Sequence, residues 1–377
     1  MKQGSTRAQI RQLCCMGLAA ETLMPRLLPM LRQLVPAESA GFFWVDSSGA
    51  MQNLYAERML SANKMQLYFD HFYEGGEFDF KRSFQKRAQA KRDVATLAVD
   101  SNFKQSAYYN EILRDLDAHH VLHGIVRGNN QALGQALGQI SLYRPTKSVS
   151  FTAANETDLQ SVLHYVSHAI AAPLSKVMSG AKSDTAKVDA PTEMLDTADD
   201  AVILITREGA LMHASEAGRR LLVQAVDGAF SPTAMQTSGE AVSQLLKQLV
   251  HQLLRDPVAL PVCTQNSRWG RIALRAYSME SDVGGSGSSQ DSPIAIRITR
   301  QEPMLLRFAH AMQTLDLSPQ VQETALHLAQ GHTNGEIAEQ MNITVNTVSC
   351  HIKSLFAKLG THGRIETVQH ILAQPKR

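Results

Sequence analysis

Apolar and polar positions follow two different periods along this chain, and the changes of period divide it. Helical spacing of apolar residues at 7–20 and 23–35 leads into Gly41-Phe42-Phe43-Trp44-Val45, a continuous apolar run that predicts a buried strand. Ser47-Ser48-Gly49 predicts a turn, and Met51 to Ala56 the return strand. Helical spacing resumes at 61–73, 83–91 and 105–117. Val121 to Arg127 and Leu137 to Tyr143 read as strands joined by a turn at Gly128-Asn129-Asn130. Leu159, Val162, Leu163, Val166, Ile170 and Leu174 then share one face of a long closing helix. A sheet flanked by helices in this order is an α+β unit, expected over 1–178.

Ser179 to Pro191 is polar and rich in small residues, so it reads as a linker or connecting helix. A second α+β unit is expected over 192–302. Ala201 to Ile205 predicts a strand, Arg207-Glu208-Gly209 a turn, Ala210 to His213 a return strand, and Ser215 to Gln224 a helix. A further helix fits Ala241 to Leu254. Two more strands fit Arg268 to Met279 and Pro293 to Thr299. The Gly/Ser run at 284–289 between them reads as a flexible hairpin loop, or else as a domain boundary; the partner-like look of the flanking strands favours the loop.

From Leu317 to Leu372 the pattern is helical throughout, in four short runs with tight connections. In the first, Val321, Ala325, Leu328 and Ala329 are the apolar positions. Ser318 and Pro319 suit its start, and Gly331 suits a left-handed cap. The second opens at Thr333 or Asn334, buries Ile337, Ala338 and Met341, and ends at Asn342. The third opens at Thr344 and buries Val345, Val348, Ile352, Leu355, Phe356 and Leu359. Its opposite face carries Asn346, Ser349, Cys350 and Lys353, also in steps of three and four, and Gly360 closes it. The fourth carries Ile365, Val368, Ile371 and Leu372. The second and third runs have helix-turn-helix spacing, and the second helix of such a pair fits the major groove of duplex DNA.

These residues carry a resemblance. Leu317-Ser318-Pro319, Ala329-Gln330-Gly331, Asn334, Glu336-Ile337-Ala338, Thr347-Val348, His351, Lys358-Leu359-Gly360 and Arg364 match the LuxR-type DNA-binding domain of transcription regulators. The resemblance implies an all-α, four-helix domain over 313–377. It places Ser349, Cys350 and Lys353 against base edges, and Asn346, Thr347, His351 and Lys358 near phosphates. It makes the fourth helix the dimer contact, so a homodimer on double-stranded DNA is expected. Two positions depart from the family pattern: Gln320-Val321 stands where Arg-Glu is usual, and Gly335 where a charge is usual, so a structural ion pair is expected to be missing. Upstream, Gly124-Ile125-Val126 and Gly138-Gln139-Ile140-Ser141-Leu142-Tyr143 resemble a GAF domain. The strand-turn-strand-helix order after 194 resembles the entry of a PAS domain. Both resemblances imply sensory modules with a possible small-molecule ligand.

Composition changes this picture little. The chain has 377 residues, 44% of them hydrophobic and 19% charged, enough for two or three folded domains. Its net charge of +2 directs no whole-protein field at nucleic acid, and residues 317–377 carry five basic against four acidic side chains. One copy of the tail should therefore bind phosphate weakly, and a dimer more strongly. Cys14, Cys15, Cys263 and Cys350 lack metal-ligand spacing and read as free thiols in a reducing cytoplasm. No apolar run reaches the roughly 18 residues of a membrane span, so no membrane is expected.

Other residues invite chemistry. Lys81-Arg82, Lys86-Arg87 and Lys91-Arg92 form a basic cluster, but steps of five spread around a helix, which favours a solvated surface over a nucleic-acid patch. His119, His120 and His123, and His164 with His168, invite a metal, yet neither group has a third ligand at a motif distance, so no metal site is expected. Cys350, beside His351 and Lys353, reads either as a small side chain against a thymine methyl or as an oxidisable thiol. No phosphate-cradling loop, kinase signature, hydrolase elbow or zinc-protease helix occurs, so no catalytic residue is implied, and any cofactor stays unknown. Three function classes remain open on these grounds: a sensor-controlled DNA-binding regulator, which the tail favours; a ligand- or partner-binding signalling module in which DNA binding is secondary; and an enzyme in the N-terminal unit, for which the sequence shows no convergent titratable groups.

Overall fold

A computed structural model describes residues 2–75, 78–97, 99–128, 135–171, 195–232, 234–256, 260–279 and 292–374. The chain divides into two compact units. One joins the described residues of 17–181 with those of 197–301, and the other joins the described residues of 1–16 and 182–196 with those of 302–377. Two sheet-containing regions, both in the first unit, precede a C-terminal helical region.

Chain order begins with α1 (Lys2–Cys14) and α2 (Ala20–Leu34), separated at Gly17, so the helix expected over 7–20 stops early. The first sheet follows: β1 (Ser39–Val45), β2 (Met51–Ala56), α3 (Ala62–His71), α4 (Phe80–Ala88), β3 (Val94–Thr96), α5 (Ser101–Gln105), β4 (His120–Arg127) and β5 (Ala136–Arg144). Its strand order is β2-β1-β5-β4-β3, so β5 is central and the three-residue β3 forms one edge. The expected helix over 105–117 is instead α5 followed by a π-helical turn at Tyr109–Leu113. Ser106 makes the break: its hydroxyl donates to the Phe103 carbonyl at 2.6 Å and accepts from the Tyr109 amide at 3.1 Å. The long closing helix is likewise two helices, α6 (Ala153–Gln160) and α7 (Leu163–Ala171). Between them the Ser161 hydroxyl donates to the Asp158 carbonyl at 2.7 Å. Positions beyond 171 in that expectation, the linker at 179–191, the Gly/Ser run and the tip at 129–130 lie outside the described residues.

Period-two alternation gives this sheet two different faces. Leu122, Gly124, Val126, Ile140 and Leu142 face α2, α6 and α7, with Leu159 and Leu163 against Gly124. The opposite face packs on α3, α4 and the π-helical turn, through Met65, Tyr68, Phe80, Phe84 and Ile112.

The second sheet contains β6 (Leu195–Ile205), β7 (Leu211–Ala214), β8 (Val262–Ser267), β9 (Gly270–Ser278) and β10 (Ile294–Pro303), with α8 (Glu216–Ala225) and α9 (Ala234–Arg255) inserted after β7. Its order, β7-β6-β10-β9-β8, repeats that of the first sheet. The strand expected over 268–279 is the second arm of a tight hairpin, turning at Arg268–Trp269, where Trp269 N–H donates to Ser267 Oγ at 3.2 Å. Expected partners β9 and β10 do pair antiparallel, from Ile294 opposite Ser278 to Gln301 opposite Arg271. Ile272, Leu274, Ile296 and Ile298 bury one face against Leu221, Leu246, Leu249 and Leu253 of α8 and α9. The two sheet regions also touch each other. Trp269 is fully buried, with Trp44 at 5.9 Å and Tyr55 at 5.7 Å between ring centroids.

The C-terminal region comprises α10 (Met304–Gln313), α11 (Pro319–Ala329), α12 (Asn334–Met341), α13 (Val345–Leu359) and α14 (Arg364–Leu372). Helix α10 had no counterpart in the sequence reading. It packs on α11 and α14, and α1 packs on α10 and α11. Arg11 pairs with Glu323 at 2.8 Å, and Gln12 Nε2 donates to the Pro319 carbonyl at 3.0 Å.

Candidate nucleic-acid interface

The helix-turn-helix is built by local rules. At the start of α12 the Thr333 hydroxyl accepts from the Glu336 amide at 3.3 Å, while Glu336 Oε2 accepts from the Thr333 amide at 2.7 Å. This reciprocal box satisfies two donors of the first turn. The bond from the Thr333 amide, and second the Thr333 hydroxyl, which also donates to Glu336 Oε2 at 2.8 Å, hold the Glu336 carboxyl below its ordinary range. Asn342 ends α12 in the left-handed region at φ 52°. Thr344 caps α13, accepting from the Thr347 amide at 3.2 Å, so only Ile343 separates the two caps. Gly360 closes α13 at φ 65°, and Gly331 follows α11 at φ 85°, as their positions suggested.

Tertiary packing aims α13 outward. Val348, Ile352 and Leu355 are buried among Val321, Ala325, Leu328, Ile337 and Ile371, and Phe356 and Leu359 pack partly against that core. Val345, expected inside, is 48% exposed, because it begins the helix beyond the reach of α11. Val321 is buried, so apolar contact occupies the position where an ion pair is usual in the family. Thr324 is fully buried, and its hydroxyl donates to the Gln320 carbonyl at 2.8 Å.

One side chain missed by sequence reasoning ties the motif together. Arg364, at the start of α14, donates to the His332 carbonyl at 2.6 Å and to Asn334 Oδ1. It thereby clamps the connection that launches α12. The matched positions Asn334 and Arg364 signalled it, but a pair 30 residues apart carries no periodicity. Nearby, His327 Nδ1 lies 3.2 Å from His332 Nδ1. Burial first, and His332 second, push the His327 imidazole below its ordinary pKa.

Asn346, Cys350 and Lys353 are exposed on the outer face of α13, with Ser349 half-buried between them. The Ser349 hydroxyl donates to the Val345 carbonyl at 3.0 Å, which leaves its oxygen as an acceptor. Cys350 is a free, exposed thiol. Thr347 and His351 are half-buried, flanking this face, and the Thr347 hydroxyl shares a 2.9 Å bond with Thr344. Lys358 stands apart. Its ammonium donates to the Asp316 carbonyl and lies 3.9 Å from the Asp316 carboxylate.

The other candidates do not converge. His119 bonds Tyr109, His120 bonds the Ser148 carbonyl and His123 bonds Ser141, while His164 and His168 are exposed on α7. Among the described residues no three His, Cys, Asp or Glu side chains are grouped to hold a metal ion. None of the described helices is long and apolar enough to cross a membrane.

A compact bundle with a projecting, short-side-chain helix face defines a helix-turn-helix domain. Residues 316–371 match the model of bacterial regulatory proteins of the luxR family, so the C-terminal domain is LuxR-type. Within it, 56 residues are 43% identical to the HTH-type transcriptional activator RamA of Corynebacterium glutamicum, covering 15% of this chain and 20% of RamA. The chain therefore spans about a fifth of that relative's length. The Vibrio cholerae VqmA dimer is similar at 14% identity over 46% of this chain and 82% of VqmA, with a TM-score of 0.18. The Escherichia coli DhaR(N)–DhaL complex is similar at 13% identity over 79% of this chain and 90% of that one, with a TM-score of 0.23. Superpositions of that quality establish no shared overall fold.

Proposed function

We propose that this protein is a cytoplasmic, non-enzymatic, DNA-binding transcription regulator, acting as a homodimer under the control of its N-terminal regions. Helix α13 enters the major groove. Ser349, Cys350 and Lys353 meet base edges, Cys350 through van der Waals contact with a thymine methyl. Asn346, Thr347, His351 and Lys358 meet phosphates. The observation that carries this reading is the outward face of α13: three exposed side chains of suitable chemistry on a LuxR-type scaffold. Ile365, 76% exposed on α14, supports that helix as the dimer contact. We assign 1–178 as a GAF-like module, 192–302 as a PAS-like module and 313–377 as the DNA-binding domain. The repeated strand order of the two sheets supports paired modules of related architecture. A signal in either module would shift the population of dimers with correct half-site spacing.

The test is a binding selection from random and genomic upstream duplexes with full-length protein at two salt concentrations. Enrichment of a palindrome with steep salt dependence is the expected result. Absence of any enriched motif, with and without cellular small-molecule extract, would overturn the reading.

A further inference from the structure

The first sheet encloses a cavity of about 70 Å³ between its β4–β5 face and helices α3 and α4. Its polar lining is out of place. Gln139 and Ser141 alternate with Ile140 and Leu142 on the central strand, yet both are only 1% exposed. They form a relay: Arg87 Nε donates to Gln139 Oε1 at 2.9 Å, Gln139 Nε2 donates to Ser141 Oγ at 3.1 Å, and His123 Nδ1 shares a 3.1 Å bond with Ser141 Oγ. Arg87 belongs to the basic cluster read from sequence as solvated. It falls seven residues after Phe80 and three after Phe84, both buried, which turns it onto the inner face of α4.

The cavity is rich in donors and poor in acceptors. Gln139 occupies one N–H of the Arg87 guanidinium, and among the described residues no carboxylate pairs with it. The titratable groups facing it are the phenols of Tyr108, Tyr68 and Tyr143 and the His123 imidazole. Burial pushes all three phenols upward, Tyr143 to about 12, so they remain hydroxyl donors at neutral pH. Burial also holds His123 well below its ordinary value, with Arg87 adding to the effect, so it adds no second cation. Among the described residues, the Tyr68 and Tyr108 hydroxyls form no hydrogen bond with the protein. A half-buried guanidinium without an anion is costly, and its free fork matches a carboxylate. Ser39 and Arg58, the latter paired with Glu38 at 3.3 Å, also line the cavity, and the rest of its wall is largely apolar, including Met65, Ile112 and Leu116.

We infer that this cavity binds a small organic carboxylate, its anionic group on Arg87 and the Tyr108 hydroxyl and its short apolar tail toward Met65 and Ile112. The volume is about half of the ~150 Å³ that admits benzene, which limits the ligand to roughly three to five non-hydrogen atoms. The inference rests on the sensor reading above only for its regulatory consequence. Binding is therefore measured without DNA.

The experiment titrates the full-length protein by calorimetry and thermal melting with sodium acetate, propanoate and benzoate, and with propanamide as an uncharged isostere. Saturable binding of acetate and propanoate, and none of benzoate or propanamide, are expected. Arg87→Met should lower affinity about 10- to 100-fold, the range for bonds to a charged group. Its melting temperature without ligand should change little, since removal of a half-buried, unpaired charge offsets loss of the bond to Gln139. Tyr108→Phe removes one hydroxyl at constant shape and should weaken binding several-fold with unchanged melting. Absence of a saturable carboxylate response at millimolar concentration, equal binding of propanamide and propanoate, or undiminished binding by both variants would each overturn the inference. If Arg87→Met does not fold, the propanamide comparison and Tyr108→Phe decide. Carboxylate binding that leaves DNA affinity unchanged would retain the site and remove the sensor reading.

Discussion

Lys353 and Lys358 lie on the same helix but in different electrostatic company, and this separates their expected effects on DNA binding. Lys353 is exposed and forms no hydrogen bond or ion pair with the described residues. Lys358 already has the Asp316 carbonyl and carboxylate beside it. Lys353→Ala should therefore leave folding stability within about 0.5 kcal/mol, as for surface sites without partners. A base contact is worth about 1–3 kcal/mol of discrimination. In the proposed dimer two copies make about 2–6 kcal/mol, a loss of roughly 30- to 20,000-fold on the specific site. Non-specific affinity should change little. If Lys353 instead met a phosphate, all sequences would weaken together, and the salt slope would shrink by about 1.8 for two contacts. Lys358→Ala should change that slope by less than about 0.9 per copy, because Asp316 offsets part of its charge. The assay is fluorescence anisotropy with the selected site and a scrambled duplex across a salt series. A Lys353→Ala protein that matches the parent on both duplexes would refute the placement of the reading face. A larger effect from Lys358→Ala than from Lys353→Ala would refute the argument from Asp316.

Leu355 is fully buried in the C-terminal core, so Leu355→Ala should destabilise that unit by about 2–5 kcal/mol. Denaturant unfolding followed by circular dichroism checks this, and a loss below half a kcal/mol would contradict the packing of α13. Arg364→Met removes the clamp on His332 and Asn334 and should cost about 1.5–3 kcal/mol, as bonds to charged groups do. An unaltered melting temperature would show the clamp to be dispensable. His327 has a folded pKa below its unfolded value, so between the two the unfolded chain binds more protons and stability rises with pH. Its contribution is complete above the unfolded value and is lost as pH falls through the folded one. Melting between pH 7.5 and 5.5 should therefore show a downward slope on acidification that His327→Gln reduces; an unchanged slope in the variant would refute this.

Local sequence determined most of the elements and nearly all of the helix-turn-helix. Thr333, Asn342, Thr344 and Gly360 act through bonds and backbone angles within a few residues, so their roles can be read without knowing the fold. The same holds for the buried stripe Val348, Ile352 and Leu355, whose spacing is its own signal. Where local hydrogen bonds competed with periodicity, the reading was too smooth: Ser106 and Ser161 divide helices that apolar spacing would continue. Long-range partners escaped it altogether. Arg364 reaches Asn334, Asp316 accompanies Lys358, α1 packs on α11, and Trp269 meets Trp44, all across distances in the chain that carry no period. Arg87 is the clearest case. Its charge suggests solvent, while its spacing from Phe80 and Phe84 places it on the buried face of α4. Only the assembled fold supplies the phenols and Gln139 that surround it, because burial belongs to the packed tertiary structure and not to the residue.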